Sequence, residues 1–184
     1  MNNYGEVLED GSIKFVRLLP GPIDRVWSWI ANGEKRARWF CGGSDLTNAD
    51  ATVRFEFKHQ NLTPHNEAFP EEYKEMEDGI SFEVEVTLLE PPHKVFFNWA
   101  GEEGSPSVVE FYLSEENGKV RLELIQRGDI TSKEFTGSAS GWHTHLDILG
   151  DKLADKEPEP FWSTLEALAD DYKKMFEDHL ARLK

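Results

Sequence analysis

The sequence predicts an α+β fold, and three observations predict it. Apolar and polar residues alternate with period two over Ala51–Lys58 and Ile80–Leu88, the mark of half-buried strands. Apolar stripes of helical spacing fill the C-terminal third, with Trp142, Leu146, Leu149 and Leu153 in one run and Phe161, Leu165, Leu168, Tyr172, Phe176 and Leu180 in the next. No internal repeat, low-complexity tract or composition shift divides the chain, so its 184 residues are expected to form one domain.

Each element has a local reason. Ser12–Leu19 reads as a first strand, ended by Pro20-Gly21-Pro22, with Pro22 suited to open a helix. Ile23, Val26, Trp27 and Ile30 then give a short amphipathic helix that Asn32-Gly33 stops, and Glu34–Phe40 a second short helix that ends at Gly42-Gly43. The two alternating strands follow, separated by the polar stretch Gln60–Asp78, in which Glu71–Met76 suits a helical turn. Pro91-Pro92 breaks the chain before Val95–Ala100, where Phe97 and Trp99 face one side and Phe96 the other. Gly101–Ser105 is a turn, Ser107–Leu113 a strand, Glu116-Asn117-Gly118 a hairpin signal and Lys119–Arg127 the last strand of an antiparallel meander of about six. Asp129–Gly137 reads as a connection, Ser138–Ala154 as a helix, and Pro160 opens the final helix.

Charge and cysteine usage exclude several functions. A formal charge of −15 repels nucleic acid and anionic membranes, and favours neutral, apolar or cationic partners. No segment is apolar for long enough to span a bilayer, and Met1–Gly11 has acids and no apolar run of a signal peptide, so a cytoplasmic protein without membrane insertion is expected. One cysteine, Cys41, excludes an internal disulfide and is expected to be a buried, inert thiol. No cofactor-binding motif is present, since Gly42-Gly43-Ser44 lacks the Lys-Ser/Thr ending of a phosphate loop.

Two stretches carry a resemblance. Arg17-Leu18-Leu19-Pro20-Gly21-Pro22-Ile23-Asp24-Arg25-Val26-Trp27, with Arg38-Trp39 and Gly42-Gly43, resembles the opening of the START-like (SRPBCC) superfamily, which has the birch-pollen-allergen fold. Gly141-Trp142-His143 with Leu146-Asp147, then Pro160-Phe161-Trp162, is similar to the branch named after the C-terminal domain of the activator of the heat-shock protein 90 ATPase. The resemblance covers nearly the whole chain and implies a helix-grip fold, a curved antiparallel sheet wrapped around long C-terminal helices over an apolar cavity. It implies a small hydrophobic ligand, with stimulation of a heat-shock ATPase as the alternative. The eukaryotic namesake has a separate N-terminal domain, which the stretch before Ser12 is too short to supply. A monomer or a homodimer is compatible with all of this.

The candidate site residues follow from the faces. Phe55, Phe57, Phe82, Phe97, Trp99 and Phe111 fall on inward strand positions, and Trp27, Trp39 and Trp142 come from the segments that would cover them. They either fill a core or line a cavity. Arg17 and Gln126 are the inward polar residues placed to orient a ligand, and His145, flanking the Trp142 stripe, the histidine placed to reach the cavity wall. His143 and His145 leave a helix roughly 160° apart, too divergent to share one metal ion, and no metal site is expected. His143 and Asp147, four apart, form the one candidate pair for base catalysis of a cyclase- or hydrolase-like kind. No serine or cysteine nucleophile is placed beside them, so a structural bond is the expected role, and a non-enzymatic protein is expected overall. Glu83 and Glu85 share a polar strand face, and Glu71-Glu72, Glu102-Glu103 and Glu115-Glu116 are expected to be charged surface.

Overall fold

The strand alternation, carried into three dimensions, gives one antiparallel sheet whose dry face is covered by helices. The structure, a computed structural model, describes residues 3–100 and 106–183. The expected turn at Gly101–Ser105 and the pair Glu102-Glu103 lie outside the described residues. The elements are β1 (Glu6–Val7), β2 (Ile13–Pro20), α1 (Ile23–Ala31), α2 (Gly33–Arg36), β3 (Gly42–Gly43), β4 (Ala51–Phe57), β5 (Ile80–Glu90), β6 (Lys94–Ala100), β7 (Pro106–Glu116), β8 (Lys119–Arg127), α3 (Lys133–Leu153) and α4 (Phe161–Arg182). Sheet order is β1-β2-β8-β7-β6-β5-β4-β3, every pair antiparallel. α3 lies on the concave face, and α4 packs along α3. This is the helix-grip architecture.

Strand periodicity decides the core. Ile13, Phe15, Arg17 and Leu19 of β2 turn inward with Val53, Phe55 and Phe57 of β4, and α3 returns Trp142, Leu146, Leu149 and Leu153 to the same space. Phe96 instead meets Tyr112 edge-on across the convex face, at 5.1 Å. Glu85 accepts a 2.8 Å hydrogen bond from Asn98 on that outer side. Hydrogen bonding of β2 to β8, far apart in sequence, sets the curl that lets α3 sit inside.

Several expectations are corrected. The sheet has eight strands, not about six, because β1 and β3 are two-residue pieces, too short for any alternation to show. A bulge between Val86 and Leu88 shifts the face of β5, so that Leu89, opposite Val95, packs on the core in place of Leu88. In α1 the fully buried tryptophan is Trp29, and Trp27 is only half-buried; the Arg38 guanidinium lies 4.7 Å over the Trp29 ring and covers it. The second short helix stops at Arg36 rather than Phe40. α3 begins five residues before Ser138, at Lys133, because Ser132 caps it by accepting from the Phe135 amide. The Gly- and Ser-rich sequence of its first turns hid that start.

Two glycines let α2 approach the sheet. Gly43 has φ +91°, and a Cβ there would collide with the Arg54 carbonyl oxygen; a Cβ on Gly33 would collide with the carbonyl of Gly43. Arg36 holds the same corner, donating to the carbonyls of Ile30, Ala31, Cys41, Gly42 and Ser44.

Candidate functional site

The concave face and α3 meet in a chamber of aromatic rings. Trp39 and Phe40, from the connection after α2, enter it from one side, with Trp39 fixed by donating Nε1–H to the Trp29 carbonyl at 2.8 Å. Trp142 lies 4.8 Å from Phe40, 5.8 Å from Trp99 and 6.0 Å from Phe111, centroid to centroid. Phe55 meets Phe97 at 5.4 Å, and Phe57 stacks on Phe82 at 5.4 Å. Gln126 is spent on orientation: its Oε1 accepts from Trp142 Nε1 at 2.9 Å and from Ser138 Oγ at 2.6 Å, and its Nε2 donates to Ser107 Oγ. The centre of the chamber is therefore packed ring on ring. Of the expected lining residues, Trp27 is half-buried and packs against the edge of the core, and Arg17 is held in a separate polar cluster with Asp147.

One end of the chamber is different in kind. His145 Nδ1 donates to the Trp39 carbonyl at 2.7 Å, which leaves its Nε2 as a lone-pair acceptor. Opposite it, 5.7 Å between centroids, stands His59, only 7% exposed, whose Nδ1 has no partner among the described residues. Around them are Phe57, Phe161 and Trp162 on His59, and Phe40 and Phe161 on His145, all within 4.9–5.7 Å. Burial pushes His59 down to about 4 and His145 down to about 3, the latter with the neighbouring His59 adding to the effect. Both imidazoles are neutral at pH 7. Sequence reasoning missed His59, since a lone histidine in a polar stretch carries no periodic signal.

His143 faces away from this end, into a polar knot between β2, α3, α4 and the N-terminal segment. Its Nδ1 accepts from the Tyr172 hydroxyl at 2.7 Å, and its Nε2 lies 3.2 Å from Asp147 Oδ2. Arg17 Nε donates to Asp147 Oδ1 at 2.9 Å, and Arg17 Nη1 to the Asn3 and Val16 carbonyls. The Gly5 amide completes the set by donating to the Tyr172 oxygen at 2.9 Å. Burial drives the Tyr172 phenol well above its ordinary value, so it stays a donor. For Asp147 burial works upward, but the bond from His143 and the charge of Arg17 outweigh it and hold the carboxyl below its ordinary value. Both ring nitrogens of His143 are engaged by protein groups, and none is free to take a proton from a substrate.

Two hollows open to the surface beside these features. A groove of about 830 Å³ runs between β2 and α3, past Arg17, Asp147 and Asp151. A second, of about 450 Å³, lies between α2, β3 and β4, with Phe40 as its inner wall. Cys41 is buried next to it, its thiol pushed up to about 12 by burial against the opposing charge of Arg36. Among the described residues no three His, Cys, Asp or Glu side chains come together as metal ligands. No helix among them is long and apolar enough to cross a membrane.

Residues 20–154, from the end of β2 to the end of α3, match the family described as Activator of Hsp90 ATPase homolog 1-like protein. The chain belongs to that family. Among solved structures, the protein encoded by gene BPP1335 from Bordetella parapertussis is 38% identical, with a TM-score of 0.79 over 94% of this chain and 90% of that one. CalU16 from Micromonospora echinospora is 20% identical, with a TM-score of 0.63 over 94% of each chain. The Aha1 dimer from Colwellia psychrerythraea is 14% identical, with a TM-score of 0.56 over 77% of this chain and 95% of that one. The last two show the shared fold alone. No curated protein matches the chain. The family match spans both short helices, β3 to β8 and α3, and so contains His59 and His145, while Phe161 and Trp162, which pack on them, lie beyond it.

Proposed function

We propose that this family member is a binding protein for a small, mainly apolar or aromatic molecule, seated at the His59–His145 end of the chamber. The observation that carries it is the unpaired Nδ1 of His59, buried among aromatic rings. A buried polar atom without a partner costs about 1–3 kcal/mol, so such atoms mark places where something else supplies the bond. A ligand hydroxyl or amide reaching His59 Nδ1 would supply it, and the rings around it would hold an aromatic body by stacking. A thermal-shift and native mass spectrometry panel of lipids and aromatic metabolites tests this, with His59→Phe as control. Ligands that raise the melting temperature of the wild type and not of the variant are expected; a panel without one stabilising compound overturns it.

The family match favours a second function, stimulation of a heat-shock protein 90 type ATPase. An assay with purified chaperone in which this protein leaves the ATPase rate unchanged would remove it. A reaction at His143 and Asp147 has less support, because using either atom would first break the bonds to Tyr172 and Arg17.

A further inference from the structure

The smaller groove has a charge balance opposite to that of the chain. The protein carries a formal charge of −15, yet this groove is lined by Arg38, Lys58 and Lys152 against Glu34 and Glu56. Glu56 is engaged by Arg54, Nε to Oε1 3.1 Å. Among the described residues Lys58 and Lys152 make no ion pair. Behind the wall formed by Gly33 and Gly42, Arg36 is 2% exposed and donates only to backbone carbonyls, so no carboxylate neutralises it. Charges farther off matter little, because ions screen them over about 8 Å at physiological ionic strength. Asp45 accepts from the groove-lining Gly33 amide at 2.6 Å, and with it counted the cations Arg36, Arg38, Lys58 and Lys152 still outnumber Glu34, Asp45 and Glu56, so the groove is locally positive in an acidic protein.

This groove also adjoins the imidazole end of the chamber. Phe40 lines it and packs edge-on against His145 at 5.0 Å, so a single ring partitions the two spaces. Lys58 and Asn61 bracket His59 in one short turn, His59–Asn61. Lys152 follows His145 by two turns of α3, which brings both side chains off one face roughly 10 Å apart along the axis.

We propose that the ligand is an aromatic carboxylate, its ring body on Phe40, the wall that the groove shares with His145, and its carboxylate between Lys58 and Lys152. This rests on the ligand-binding function proposed above and adds the chemical class. The ring packs on Phe40, beside the imidazole end, and the acid neutralises a groove that the protein itself leaves positive. The acidic remainder of the surface then disfavours anions everywhere else, which gives selectivity for a ligand that is apolar at one end only.

Naphthoate and naphthalenemethanol make the test, since they share a ring system and differ in charge. Titration by tryptophan fluorescence at physiological ionic strength should show naphthoate bound at least about tenfold more tightly, and the preference should shrink as salt is raised toward about 1 M. The salt series is read on the wild-type protein and needs no variant. In Lys58→Ala/Lys152→Ala the two affinities should come within about twofold of each other, with that for naphthalenemethanol unchanged. Equal binding by the wild type, or a preference that survives the double substitution, overturns the carboxylate site and leaves the binding function standing. Failure of both probes to bind overturns the two together.

Discussion

Tyr172→Phe separates a structural knot from an active site. The substitution keeps the ring and deletes one oxygen, which at present donates to His143 Nδ1 at 2.7 Å and accepts from the Gly5 amide at 2.9 Å. Both partners are buried, so both become unsatisfied. At about 1–3 kcal/mol for each orphaned group, less what is regained by no longer burying the hydroxyl, the loss should be about 2–4 kcal/mol. For a domain of this length that is a fall of roughly 5–10 °C in melting temperature. Urea denaturation followed by circular dichroism gives the free energy directly, and naphthoate titration in the same samples reads the binding site. The expected result is a large loss of stability with unchanged binding, because the knot is on the opposite side of α3 from His145. A loss below about 0.5 kcal/mol would refute the structural assignment, and unchanged stability with abolished binding would move the site to the knot.

Two further outcomes follow from the same bonding. Glu67 caps the start of α4, accepting from the Trp162 and Ser163 amides at 2.9 Å, so Glu67→Ala should cost about 1 kcal/mol in urea denaturation. Burial pushes that carboxyl up, but the hydrogen bonds from Ser163 and the backbone hold it below its ordinary value, so its stabilisation is present above the unfolded-state pKa and lost as pH falls through the folded one; Glu67→Gln should remove that acid-side slope. The imidazoles act at higher pH. With His59 at about 4 and His145 at about 3, the unfolded chain binds more protons than the folded one below about pH 6.5, so stability should fall steadily from pH 7 to pH 4, and His59→Phe should flatten that fall. A melting temperature constant over this range in the wild type would contradict the burial of both rings.

The fold was legible because its elements announce themselves by period. Alternation over β4 and β5, the Asn117-Gly118 hairpin and the Trp142 stripe each depend on residues within a few positions, and a half-buried strand or helix cannot be built otherwise. What stayed hidden was set by tertiary contact. The two-residue strands β1 and β3 exist only because β2 and β4 offer them an edge, and the bulge in β5 only because β6 pairs with it out of phase. Burial of Trp29 in preference to Trp27 depends on Arg38 lying over its ring, and no periodicity within α1 can encode that.

The site was half legible for the same reason. The inward aromatics could be named from strand parity, and Arg17 and Gln126 as inward polar groups, yet parity says nothing of what each polar group touches. Arg17 proves to serve Asp147 and Gln126 to serve Trp142, so both are consumed in holding α3 against the sheet. The histidine pair adjacent in sequence, His143 and His145, is split by the helix into opposite environments, while the pair that meets ring to ring, His59 and His145, is assembled from a turn and a helix 86 positions apart. Net charge likewise carries no position. A total of −15 argues for neutral or cationic partners, but it is a sum over the whole surface, and screening makes each groove answer to its own few residues. With Arg36 unneutralised behind its wall and Lys58 and Lys152 unpaired at its rim, the groove outside Phe40 is where an acidic protein can still receive an acid.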